Sequence, residues 1–205
     1  MASWSKIEKE NELVLNIPNL LTLFRIALIP VLVVMYFTRL EHREIWLTAI
    51  FVVAALTDWL DGYLARRMQA TSALGAFLDP VADKLIVSSA LVLLVSDRII
   101  LGMVWHAMPF AIAVCIIVGR EIVISALREW MAELGERGAV AVGSLGKFKT
   151  AAQMIAISLL LYAQPLFGLP IFKIGEIMLY IAAALTLWSM FEYLRAAYPF
   201  LTENS

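Results

Sequence analysis

Between Asp58 and Asp83 the chain sets four aspartates beside two apolar runs. Asp58 and Asp61 close the first run, and Asp79 and Asp83 open the next. Residues three or four apart on a helix share a face, so each pair points one way. A short turn around residues 69–72 would fold the two helices back to back and bring four carboxylates to one spot. An Asp at the centre of a membrane helix costs roughly 2.5–3.5 kcal/mol, so four of them cost on the order of 10 kcal/mol before their mutual repulsion is counted. Something cationic must offset that. No His or Cys accompanies the acids, and oxygen donors alone favour Mg, Mn or Ca over zinc or copper. Four carboxylates suffice for two ions, and two such ions clamp a phosphoryl group from both sides. Around the acids lie Gly62 and Gly75, where a ligand can approach the backbone closely, the small Ala65, and Arg66, suited to bidentate phosphate recognition. These residues describe a site for a pyrophosphate-linked substrate whose remainder is lipid.

The rest of the chain supplies a membrane setting. Its 205 residues are 62% hydrophobic and 16% charged, with a mean hydropathy of +0.85; an ordinary soluble domain is about 45–50% apolar. A net charge of -1 gives no reason to expect nucleic acid as a partner. The single cysteine, Cys115, excludes an intramolecular disulfide and, lying within an apolar run, is expected to be a small buried residue.

Six apolar runs of about 20 residues match the thickness of a bilayer. They cover residues 18–37, 44–64, 74–95, 105–130, 148–164 and 171–195. The fold expected is therefore an all-α integral membrane protein, a bundle of six transmembrane helices. Residues 1–15 are read as an interfacial amphipathic helix, with a frayed tail as the alternative, and residues 16–205 as the transmembrane domain. The first run carries Asn16, Asn19, Thr22 and Arg25 at steps of three, a polar stripe that should face protein or a cavity rather than lipid. Arg25 could also be a packing partner of another helix, with Glu121 as the candidate. Asp97 and Arg98 read as a connecting turn, and the glycines at 135, 138, 143 and 146 as a flexible linker.

Six spans place both termini and the second and fourth connections on one side. Nine Lys or Arg fall there (Lys6, Lys9, Arg66, Arg67, Arg128, Arg137, Lys147, Lys149 and Arg195), against four on the other (Arg39, Arg43, Arg98 and Lys173). The positive-inside rule puts the nine in the cytoplasm. The acids then open toward the cytoplasmic leaflet. Arg120, Arg128, Lys147 and Lys149 are the cations on or near that side, and each could instead be an interfacial anchor.

The spacing of Asp58, Asp61, Gly62, Ala65, Arg66, Gly75, Asp79 and Asp83 resembles the signature of the CDP-alcohol phosphotransferases, with every fixed position filled. The stretches NIPNLLTLFRIALIP, TDWLDGYLARR, GAFLDPVADK, GREIVISALREWMAELG and GKFKTAAQM are similar to the bacterial phosphatidylglycerolphosphate synthases of that family. The resemblance implies transfer of the phosphatidyl group from CDP-diacylglycerol to sn-glycerol 3-phosphate, with release of CMP. It implies that Asp58, Asp61 and Asp79 are metal ligands for Mg or Mn, that Asp83 is both a ligand and the general base, and that Gly62, Ala65, Arg66 and Gly75 line the CDP moiety. Asp83 would serve as a base only if the acceptor hydroxyl is acidified, since an ordinary aspartate has a pKa of about 4. The acceptor's own phosphate would need further cations, of which Arg120 and Lys147, with Lys149 next, are the expected ones. A homodimer in the bacterial cytoplasmic membrane is also implied.

The residues admit two other readings. A cation- or proton-coupled transporter would also bury acids, but transporters repeat interrupted helices in two halves, and no matching acid pair occurs in the second half of this chain. Within the family, serine, inositol phosphate or a preformed phosphatidylglycerol could be the acceptor. The spacing alone does not choose among them.

Overall fold

The computed structural model describes residues 17–68, 73–136 and 144–203, apart from a few side chains at helix ends. The expected interfacial helix over 1–15 and the turn at 69–72 lie outside the described residues. Seven helices occupy the rest: α1 (Ile17–Phe37), α2 (Arg43–Met68), α3 (Ala73–Ser96), α4 (Arg98–Met103), α5 (Ala107–Glu133), α6 (Ser144–Tyr162) and α7 (Ile171–Glu203). Among the described residues the one non-helical pairing is an isolated bridge between Leu166 and Leu169.

Each expected apolar run is a helix, but the runs are not equal. Among the described residues four segments are long and apolar enough to cross a membrane: Asn19–Phe37, Arg43–Tyr63, Ala107–Glu133 and Ile171–Phe200. Within α6 the apolar stretch whose side chains are described is Phe148–Tyr162. Helix α3 is set apart from the four by its charges, with Asp79, Asp83 and Lys84 in its first half, and α6 carries Lys147 and Lys149 in its first two turns. Three local expectations are corrected. Asp97 does not form an open turn with Arg98; it caps the short helix α4, its Oδ1 accepting from the Ile99 N–H at 2.7 Å, and Arg98 is already helical. Gly146 belongs to α6 rather than to a linker. Cys115 is exposed. Helix α5 is apolar on all sides there, and the face that packs is the one bearing Phe110, Ala113, Val114 and Ile117.

The chain divides into two compact units, Met1–Leu93 and Leu94–Ser205. In the first, α1 packs along α2, and Leu32, Leu47, Phe51, Ala54 and Ala82 are among its buried side chains. Its polar stripe is turned inward: Asn19, Thr22 and Arg25 are buried, while Leu20, Leu23 and Phe24 are exposed. A soluble protein would do the reverse. Here apolar side chains meet lipid at little cost, and polar ones must find partners inside.

In the second unit α7 packs against both α6 and α5. Gly175 permits the α6–α7 approach, since a Cβ there would lie 2.9 Å from Leu159 Cβ and 3.2 Å from the Ala156 carbonyl. The connection before α7 is a tight turn in which Phe167 and Gly168 both take left-handed backbone conformations (φ 52° and 77°). The Leu166 and Leu169 backbones exchange both hydrogen bonds across it. Helix α5 ends in a Schellman motif. Gly135 sits at φ 81°, its N–H donates to the Ala132 carbonyl, and the Glu136 N–H donates to that of Met131 at 2.9 Å.

A buried carboxylate ties the start of α5 to α7. Glu176 is fully enclosed; its Oε1 accepts from the Trp105 backbone N–H at 2.9 Å and the Tyr180 hydroxyl at 3.0 Å, and its Oε2 accepts from Lys173 Nζ at 3.0 Å. Lys173 also lies 4.6 Å from the centre of the Trp105 ring. Removing the acceptor strands three donors, of which Lys173, 30% exposed, can turn to water; an unsatisfied buried group costs about 1–3 kcal/mol. Glu176→Ala is therefore expected to lower the thermal midpoint of the detergent-solubilised protein by several degrees, with Glu176→Gln, which retains an acceptor, falling between it and the wild type.

Candidate active site

The acids sit where α2 and α3 face the inward stripe of α1. The guanidinium of Arg25 lies between Asp58 and Asp61, which are one turn apart on α2. Its Nη1 donates to Asp58 Oδ1 at 2.6 Å, and its Nη2 donates to Asp61 Oδ2. One turn earlier on α1, the Thr22 hydroxyl donates to Asp79 Oδ1 on α3. The two arms of the Arg25 bridge differ in environment: the Arg25 side chain is 0% exposed and Asp61 4%, while Asp58 is 42% exposed. Arg25 Nε is buried with no hydrogen-bond partner.

Asp83 follows Asp79 by one turn on α3 and is half-buried; Gly62, beside Asp61, is half-buried and Gly75 is buried. Ala65 and Arg66 lie in the last turns of α2 and Lys147 in the first turn of α6, with side chains outside the described ones. Asp58, Asp61 and Asp79 are thus gathered on α1. Asn19, on the same stripe, is buried.

The remaining expected cations form a cluster in the second unit. Glu121 Oε1 accepts from Lys149 Nζ at 2.7 Å and from Arg120 Nη1 at 3.1 Å. Arg120 Nη2 donates to Ser189 Oγ on α7 at 3.2 Å, and its guanidinium carbon lies 5.6 Å from the centre of the Tyr193 ring. Lys149 is almost wholly enclosed, at 2% exposure. The suggested partnership of Arg25 with Glu121 is corrected: Arg25 bonds Asp58 and Asp61, and Glu121 bonds Arg120 and Lys149. Sequence reasoning did not single out Ser189. The available signal was its place one turn from Thr186 and Tyr193 on an otherwise apolar helix, which gives α7 a polar face.

The chemistry of the acid set suits a hard divalent ion. All donors are carboxylate oxygens, and two of the four side chains already converge on one positive charge. Among the described residues no three acidic, His or Cys side chains come close enough to enclose a metal in this arrangement. The unequal burial of the two arms of the Arg25 bridge yields a prediction for metal-free protein. Asp61→Asn should lower the thermal midpoint markedly, with a loss on the order of 3 kcal/mol for a broken buried pair. Asp58→Asn, at a half-exposed position, should cost about 1 kcal/mol or less. Thermal melts of the two variants in chelator check the order.

Comparison with known proteins bears on the whole chain. The family profile of the CDP-alcohol phosphatidyltransferases matches residues 15–188. A Pseudomonas fluorescens protein named CDP-diacylglycerol--glycerol-3-phosphate 3-phosphatidyltransferase is 49% identical over 188 residues, covering 91% of this chain and 92% of its own. Proteins of the same name from Haemophilus influenzae and Pectobacterium atrosepticum are 49% and 50% identical, covering 92% and 89% of this chain and 97% and 94% of their own. With the four spaced acids and the glycines beside them lying inside the matched region, the chain belongs to the CDP-alcohol phosphatidyltransferase family.

Proposed function

We infer that this chain is an enzyme that transfers the phosphatidyl group from CDP-diacylglycerol to sn-glycerol 3-phosphate, giving phosphatidylglycerol phosphate and CMP. The observation that carries this reading is identity at about half of all positions, across some nine-tenths of the chain, with relatives named for that reaction. The burial of Asp61 in a largely apolar helix supports it from the physical side.

In this reading the primary hydroxyl of glycerol 3-phosphate attacks the phosphorus that bears diacylglycerol. A new oxygen–phosphorus bond forms, the bond to the CMP oxygen breaks with its electron pair leaving on CMP, and Asp83 takes the hydroxyl proton. Asp58, Asp61, Asp79 and Asp83 would hold two divalent ions, Mg or Mn, which supply charge neutralisation at the pyrophosphate. Gly62, Ala65, Arg66 and Gly75 line the CDP moiety, and Arg120, Lys147 and Lys149 receive the acceptor's phosphate. Most of the rate enhancement then comes from positioning and charge complementarity.

The setting proposed is a bacterial inner membrane. Six spans would put both termini in the cytoplasm and open the acids toward the cytoplasmic leaflet, where both a soluble phosphate and a CDP-linked lipid can arrive. The basic residues counted on that side support this orientation. Residues 16–205 form the transferase domain, residues 1–15 lie on the interface, and the enzyme works as a homodimer, a state supported by family resemblance.

Detergent-purified protein with CDP-diacylglycerol and Mg or Mn is expected to release CMP with glycerol 3-phosphate and not with serine, inositol phosphate or phosphatidylglycerol. Chelation should abolish release, and Asp83→Asn should lower it by about 100-fold or more, the scale of general base catalysis. Release with a different acceptor would move the chain within its family; no release with any would remove the transferase reading. Lys149→Met should raise KM for glycerol 3-phosphate at least tenfold, the loss of one charged hydrogen bond of about 1.5–3 kcal/mol, while KM for CDP-diacylglycerol changes little.

A further inference from the structure

Three of the four aspartates are gripped from a single helix. Arg25 takes Oδ1 of Asp58 and Oδ2 of Asp61, and Thr22 takes Oδ1 of Asp79. In these bonds helix α1 takes one oxygen of each carboxylate. Arg25 already gives both terminal nitrogens of its guanidinium to carboxylates, so it acts on the acids. Its fork of donors fixes two carboxylates relative to each other, something the single ammonium of a lysine cannot do in the same geometry. Charge points the same way. Four carboxylates and one guanidinium leave three negative charges, and two divalent ions turn that into a small positive surplus, suited to a pyrophosphate. Metal-ligating carboxylates are themselves characteristically hydrogen-bonded, and removing such an outer partner typically costs 10–100-fold in metal affinity.

We propose that Thr22 and Arg25 are positioning residues of the acid site: from α1 they orient the carboxylates of Asp58, Asp61 and Asp79 for the binding of divalent ions. The inference rests on the reading of those acids as metal ligands. It assigns a task to the α1 stripe that a helix-packing role alone would not give it.

The test is a titration of Mn by metal-depleted, detergent-purified full-length protein, read by the electron paramagnetic resonance of free Mn, with CMP release measured alongside. Thr22→Val, which removes one hydroxyl and keeps the shape, and Arg25→Lys, which keeps the charge and removes the fork, are each expected to weaken Mn binding about 10–100-fold. Both should lower kcat while leaving KM for glycerol 3-phosphate within about twofold. Mn affinity equal to the wild type in both variants would reduce Thr22 and Arg25 to packing contacts and overturn the proposal. Tighter binding in Arg25→Lys would overturn it in another way, making the guanidinium a competitor for the site. If Arg25→Lys does not fold, Thr22→Val carries the test alone. A wild type that binds no Mn and needs no metal for CMP release would remove the metal reading itself, an outcome distinct from unchanged affinity in the variants.

Discussion

A fully enclosed guanidinium shared by two carboxylates one helical turn apart is the constraint around which the first unit is built. Arg25 reaches Asp58 and Asp61 across the α1–α2 contact, and neither side is tolerable without the other. In lipid the hydrophobic effect does little to press one helix against the next, because the acyl chains are as apolar as leucine. Specific polar ties and close approach then choose the register. With Arg25 set, Thr22 meets Asp79 on α3 from the same face, and three helices are located by two side chains.

The second unit uses the same device with the signs exchanged. Where Arg25 stands between two acids, Glu121 stands between two cations, Arg120 and Lys149, drawn from α5 and α6, and Arg120 carries the tie on to Ser189 of α7. Each cluster has an unequal count of charges. The first keeps a negative excess, the second a positive one. Excess charge held in an apolar surrounding is costly unless a ligand of opposite sign completes it, and the two excesses are those that a cation and a phosphate would satisfy.

How much of this was legible in the sequence follows from separation along the chain. The helices were legible because their apolar runs are long, and the four acids because their spacing is local and regular. The partner of Arg25 was not, since Asp58, Asp61 and Glu121 are all carboxylates in apolar surroundings and only packing chooses among them. Cys115 failed for a related reason: an all-apolar helix has no sequence mark for its buried face, so a small residue on it can face either way. Asp97 shows the limit for short elements, where the residue types of a turn and of an N-cap are the same.

The turn at Phe167 and Gly168 bears on how the chain enters a bilayer. Helix α6, Ser144–Tyr162, is about 28 Å long at 1.5 Å per residue, close to the thickness of a hydrocarbon layer, but Lys147 and Lys149 stand in its first two turns. Alone it is a poor candidate for insertion. The short connection that contains this reversal keeps α6 beside α7, which is long, apolar and packed along it. The pair can therefore partition as one hairpin, the longer helix carrying the shorter. On that account the enclosed Lys149 is brought to its depth by the partitioning of its neighbour, and the energetic burden of a buried ammonium falls on a helix that does not contain it.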